Sequence, residues 1–150
     1  MKLFRNTKLS EHASDALPIM DADRLHELCE VVGTTATAEM LDIYVAQGEV
    51  DLGDLTSQLA SKSADRVRRS AHAMVGAALS IGACQVVALL SAVEHAEDPV
   101  AQAISQEAAA VLASNLARIQ IIADRLKSIP LTQSEDNKIH ILKLITSNIS

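Results

Sequence analysis

The sequence predicts an all-α fold, and three observations carry that prediction. Apolar residues recur every three or four positions through most of the chain, which is the periodicity of one helix face. Apolar residues make up 49% of the 150 residues, yet Phe4 and Tyr44 are the only Phe, Tyr or Trp side chains. The core therefore has to consist of Leu, Ile, Val, Ala and Met, and Ala has the highest intrinsic helix propensity. The length is that of one domain.

The first elements are an arm and two helices. Residues 1–20 mix charged residues, Ser and Pro without periodicity, so we expect a flexible arm there. Asp21 is placed to cap a short helix that Gly33 ends. Thr37 offers the cap of one long helix, which reaches the connection at residues 61–63. Two glycines within 48–53 predict a kink or short break in that helix, because each costs about 1 kcal/mol relative to Ala.

The same periodicity predicts three further helices, over residues 64–80, 83–97 and 100–129. Gly82 ends the first of these, and Pro130 ends the last. Apolar residues spaced three or four apart in 139–149 predict a short amphipathic tail helix. We expect it to pack against the bundle, and a contact with a partner or a second copy is the alternative. The chain thus divides into an arm, 1–20, a helical bundle, 21–129, and a tail, 130–150.

Charge and composition exclude several functional classes. The formal net charge of -6 does not suit nucleic-acid binding, which needs clustered Lys and Arg. Membrane spans and signal peptides need longer apolar runs than this sequence contains. Cys29 and Cys84 have no neighbouring Cys and lie in apolar helical stretches, which indicates reduced thiols. We therefore expect a cytoplasmic protein.

The predicted helix at 64–80 places a histidine outside the core. At about 100° per residue, one face of this helix is apolar; it comprises Val67, Ala71, Met74, Ala78 and Ile81. His72 lies well over 90° from the centre of that face, so we expect it to be exposed. Gly76 follows one turn later on the same side and clears space beside the imidazole.

A neutral, exposed imidazole is a competent nucleophile near neutral pH. Arg68 and Arg69 lie one turn before His72 and would offset the charge of a phosphoryl group on it. From this helix alone, a solvated basic face with an incidental histidine is the simpler interpretation.

The run from Ala71 to Ala83, AHAMVGAALSIGA, resembles the signature of histidine-phosphotransfer (HPt) domains. In that signature, His is followed by x-x-Lys-Gly, by small residues and by an apolar-Gly-Ala step. The next helix also matches the family, at Leu89, Leu90, Val93 and Glu94. The resemblance covers roughly residues 21–128. It departs at Val75, where the family usually has Lys.

The resemblance implies an elongated up-down four-helix bundle with His72 phosphorylated midway along one helix. It implies two kinds of partner, response-regulator receiver domains and a hybrid histidine kinase. It also implies a role in relaying phosphate between receiver aspartates. The receiver would hold the Mg²⁺, so we expect neither cofactor nor metal on this chain. Asp65, Val75 and Leu79 would belong to the docking surface, although scattered surface apolar residues are common. We expect a monomer.

Other chemistries find less support in the sequence. The remaining histidines, His12, His26, His95 and His140, show no metal-ligand spacing. A histidine-kinase dimerisation helix usually has an acidic residue directly after its histidine, and this chain has Ala73. The sequence contains no Gly-rich phosphate loop, so nothing in it suggests autophosphorylation. Two interpretations stay open: a phosphotransfer intermediary, and a non-catalytic helical adaptor that docks a receiver domain.

Overall fold

The described part of the chain is entirely helical apart from short connections. The computed structural model describes residues 17–97 and 102–129, together with Lys143. Among them lie five helices: α1 Ala22–Val32, α2 Thr34–Ser61, α3 Ala64–Ile81, α4 Cys84–His95 and α5 Gln102–Lys127. The all-α prediction is confirmed.

The four longer helices form a closed bundle. α2 packs against α3 and α5, and α4 packs against the same two helices from the other side. Two residues separate α2 from α3, and two separate α3 from α4, and such short turns make successive helices antiparallel. With 28 residues, α2 is roughly 42 Å long, so the bundle is elongated. The short α1 packs on α2.

The beginnings of α1 and α2 match the sequence prediction only in part. The Asp21 carboxylate accepts hydrogen bonds from two backbone N–H groups of the first turn of α1, so the predicted cap is confirmed. Gly33 ends α1 with φ of 91°. The cap predicted at Thr37 is wrong, because α2 already begins at Thr34. Thr37 is buried inside the first turn, and its hydroxyl donates to the Gly33 carbonyl at 2.8 Å.

Of the kink or short break predicted near residues 48–53, the break is wrong, since α2 is continuous from Thr34 to Ser61. Gly48 is buried where α2 meets α5, and a Cβ added there would lie 2.7 Å from Leu116 Cδ2. The missing side chain lets the two helices approach closely. This glycine therefore serves packing and does not interrupt the helix.

The turn between α3 and α4 is fixed by α1. Gly82 has φ of 76°, and its carbonyl accepts a hydrogen bond from the Asp21 N–H at 2.7 Å. The Arg24 guanidinium donates twice to the Ser80 carbonyl, at 3.1 and 3.2 Å. These contacts satisfy carbonyls at the end of α3 and hold that helix in place.

The ends of the chain are described only in part. Residues 17–20, which the sequence assigned to the arm, contact the bundle, with Ile19 and Met20 buried and the Leu17 carbonyl bonded to Gln85. The predicted tail helix lies outside the described residues except at Lys143. Within the described ranges, no helix has the length and apolar character needed to cross a membrane.

Candidate functional site

His72 lies on the outer face of α3. The apolar face predicted for this helix is buried as expected, at Val67, Ala71, Met74, Ala78 and Ile81. The His72 side chain is 76% exposed. Burial of one helix face thus presents the imidazole to solvent and to any docking partner.

Glu94 of α4 holds one nitrogen of the His72 ring. His72 Nδ1 lies 2.6 Å from Glu94 Oε2, and the Glu94 side chain is only 22% exposed. An ionised carboxylate can only accept hydrogen bonds, so in the neutral ring the proton belongs on Nδ1. The lone pair is then on Nε2, which makes Nε2 the nucleophilic nitrogen of the ring.

The register of the helical hairpin brings these two side chains together. α3 and α4 are antiparallel about the turn at Gly82 and Ala83. Residues at similar distances from the turn therefore lie side by side: His72 is ten positions before Gly82, and Glu94 is eleven after Ala83. In the sequence, Glu94 stood out only as a position that matches the family, and its pairing with His72 was not predicted.

The two arginines near the site lie in different surroundings. Arg68 donates to the carbonyls of Ala96 and Glu97, at 3.4 and 3.1 Å, where its charge suits the C-terminal end of α4. Its other nitrogen is 3.8 Å from Asp65 Oδ1. Arg69 is exposed, and within the described residues no hydrogen bond or ion pair engages it. Arg69 is thus the better placed of the two to meet an incoming phosphate.

The surroundings of His72 combine open space with apolar side chains. Gly76 is exposed, and a Cβ there would meet nothing within 4 Å. Leu79 is 59% exposed, as expected for a contact surface. Val75, which the resemblance assigned to the docking surface together with Leu79, is not exposed: it is half-buried and packs against the core. Asp65 is exposed near the start of α3.

The other described histidines make local contacts. His26 Nε2 lies 3.0 Å from Glu30 Oε1 on α1, and His95 Nδ1 lies 2.8 Å from the Ser91 carbonyl on α4. His12 and His140 fall outside the described residues. Among the residues that the structure describes, no cluster of three His, Cys, Asp or Glu side chains is arranged to hold a metal ion.

Comparison with known proteins gives one match. A family model described as Hpt domain matches residues 39–128, which is more than half of the chain and includes all of α3, α4 and α5 and most of α2. No curated protein and no solved structure gives a significant match to the chain.

Proposed function

Because this chain belongs to the Hpt domain family, we propose that it accepts a phosphoryl group on His72 and passes it on between the aspartates of receiver domains. Histidine phosphotransfer in phosphorelays is the activity that the family implies. The observation that carries the assignment to His72 is the exposed imidazole with Nδ1 held by Glu94.

The transfer chemistry follows from this arrangement. Nε2 attacks the phosphorus of an aspartyl phosphate, the N–P bond forms, and the P–O bond to the aspartate breaks, which returns the aspartate as a carboxylate. No proton has to leave Nε2 first, because the ring proton is on Nδ1. The ring becomes positively charged as the bond forms, and Glu94 stabilises that charge as it holds the ring orientation. Attack by the next receiver's carboxylate on the phosphorus reverses these steps.

The partner would supply the rest of the site. Phosphoryl transfer depends mainly on positioning and electrostatics, and the Mg²⁺ in this proposal belongs to the receiver domain. Leu79 and the open surface at Gly76 would contact the receiver, and Arg69 would approach the phosphoryl oxygens. A hybrid histidine kinase would be the original phosphate donor. The proposal places the chain in the cytoplasm, where the free thiols of Cys29 and Cys84 stay reduced.

The test is incubation of the full chain with phosphorylated receiver domains from the same genome. We expect at least one receiver to transfer its phosphate, giving this chain a label that is stable in base and lost in acid. The competing function is a non-catalytic adaptor. A chain that binds a receiver but stays unlabelled across the whole panel would establish the adaptor and rule out the relay.

The valine at position 75 leads to a prediction about rate. Arg68 is bonded to carbonyl groups at the end of α4, so it does not replace the missing lysine. We expect Val75→Lys to speed phosphate uptake roughly two- to five-fold, since a nearby exposed charge contributes about 0.5–1 kcal/mol. The half-buried position suits Lys, whose stem stays between the helices while its ammonium reaches solvent.

The initial rate of labelling from one receiver measures this effect, and Val75→Met, of similar length but without charge, is the control. An unchanged rate in Val75→Lys would mean that the existing cations, with Arg69 foremost, already suffice.

A further inference from the structure

An apolar groove runs between α2 and α3 on the opposite side of α3 from Glu94. Met40, Ile43 and Tyr44 line it from α2, and Met74 and Ala77 line it from α3. Ile43 is 69% exposed, and Val50, one residue short of the groove's end at Asp51, is 58% exposed. Ile43 and Val50 are seven residues, or about two turns, apart and lie on the same side of α2. This spacing favours a helical occupant, which would contact both side chains along its own apolar face.

Charge limits what that occupant can be. α2 carries five acidic residues, Glu39, Asp42, Glu49, Asp51 and Asp54, and no Lys or Arg. A second copy that paired through the same face would set Asp51, which lines the groove, against its equivalent, which is unfavourable. An occupant with an apolar face and basic flanks suits the groove better.

Residues 138–149 of this chain have that character. At helical spacing, Leu142, Ile145 and Ile149 share one face. The segment contains two lysines and one histidine and no acidic residue. Lys143, the described residue within it, has helical backbone geometry and is exposed, and it lies about 100° or more from each of those three apolar positions.

The end of α5 leaves this segment within reach of the groove. Lys127, the last residue of α5, places Nζ 2.8 Å from Asp42 Oδ2, on the side of α2 that faces α5 and at the same height along α2 as the groove residues Met40 and Ile43. The eight residues 130–137 can span up to ~26 Å, more than twice the ~10 Å diameter of a helix. As a helix, 139–149 would be about 15 Å long, equal to the rise of α2 from Met40 to Val50.

We propose that residues 138–149 dock as an amphipathic helix in the groove between α2 and α3. In this position the segment covers Ala77 and Met74 on the helix that carries His72 and leaves the Glu94 side of that helix open. The groove is then a binding site for the chain's own tail, and the proposal does not depend on phosphotransfer.

Methyl NMR of the full chain labelled at the methionine methyl groups tests the proposal. Met40 and Met74 line the groove, whereas Met20 is fully buried elsewhere in the core. Leu142→Asp combined with Ile145→Asp should shift the Met40 and Met74 signals and leave Met20 unchanged. Ser147→Asp combined with Ser150→Asp adds the same charge to the polar face and should shift none of the three.

A second measurement needs no variant: the unmodified chain should show nuclear Overhauser effects between the Met40 methyl group and the methyl groups of Leu142 or Ile145. Unchanged Met40 and Met74 signals in the apolar-face variant, together with no such effect in the unmodified chain, would overturn the proposal. Nuclear Overhauser effects that grow with protein concentration, together with a dimer in analytical sedimentation, would also overturn the proposal. That result would assign the groove to a second copy of the chain.

Discussion

Replacing His72 with Gln is expected to remove all acid-labile phosphate from the chain and to leave its fold unchanged. Gln has no nucleophilic nitrogen, so no N–P bond forms at this position. The His72 side chain is 76% exposed and contacts Glu94 at the surface of the bundle. The free energy of unfolding should therefore change by no more than about 0.5 kcal/mol. Labelling from a phosphorylated receiver and thermal unfolding followed by circular dichroism measure the two quantities.

His95→Gln is the matched control for that variant. His95 is exposed on α4 and bonds only locally, to the Ser91 carbonyl. Its replacement should leave labelling at the level of the unmodified chain. If His72→Gln kept its label while another histidine variant lost it, the phosphorylated residue would have to be reassigned.

Replacing Glu94 with Ala is expected to slow phosphate uptake roughly 10- to 100-fold, which corresponds to about 1.4–2.7 kcal/mol of transition-state stabilisation. Without the carboxylate, the ring is free to rotate, and its proton can move to Nε2. The positive charge that develops on the ring also loses its neighbour. The initial rate of labelling from a saturating receiver measures the effect.

Glu94→Gln separates orientation from charge. Its side-chain oxygen can still accept the Nδ1 hydrogen bond, so it should restore part of the rate lost in Glu94→Ala. The ¹⁵N chemical shifts of the His72 ring should change in the same order as the rates. They should show the proton on Nδ1 in the unmodified chain and a mixture of the two tautomers in Glu94→Ala. Equal rates in the Ala variant and the unmodified chain would contradict a positioning role for Glu94.

The sequence was sufficient to predict the helices and to identify the buried face of α3. Periodicity located all five described helices, because each one buries a single apolar face. The errors arose where tertiary contacts override local preference. Thr37 is a good cap in isolation, but Gly33 ends one helix and leaves the next to begin at Thr34. Gly48 weakens an isolated helix, yet here it admits Leu116 of α5.

The site could be predicted only as far as one helix determines it. The exposure of His72 and the space at Gly76 follow from the positions of these residues around the axis of α3 alone. The partnership with Glu94 depends on the register of two helices, as does the engagement of Arg68 by the end of α4. Counting residues outward from the turn at Gly82 would have found Glu94, but no local pattern indicates it.

In the phosphorylated protein, we expect the phosphoryl group on Nε2 of His72 while Glu94 holds Nδ1. NMR of the phosphorylated chain, labelled with ¹⁵N at histidine, tests it most directly through the one-bond coupling between phosphorus and nitrogen. We expect a coupling to Nε2 of a single histidine, and we expect it to be absent from His72→Gln. A coupling to Nδ1, or to a histidine that survives the replacement of His72, would contradict it.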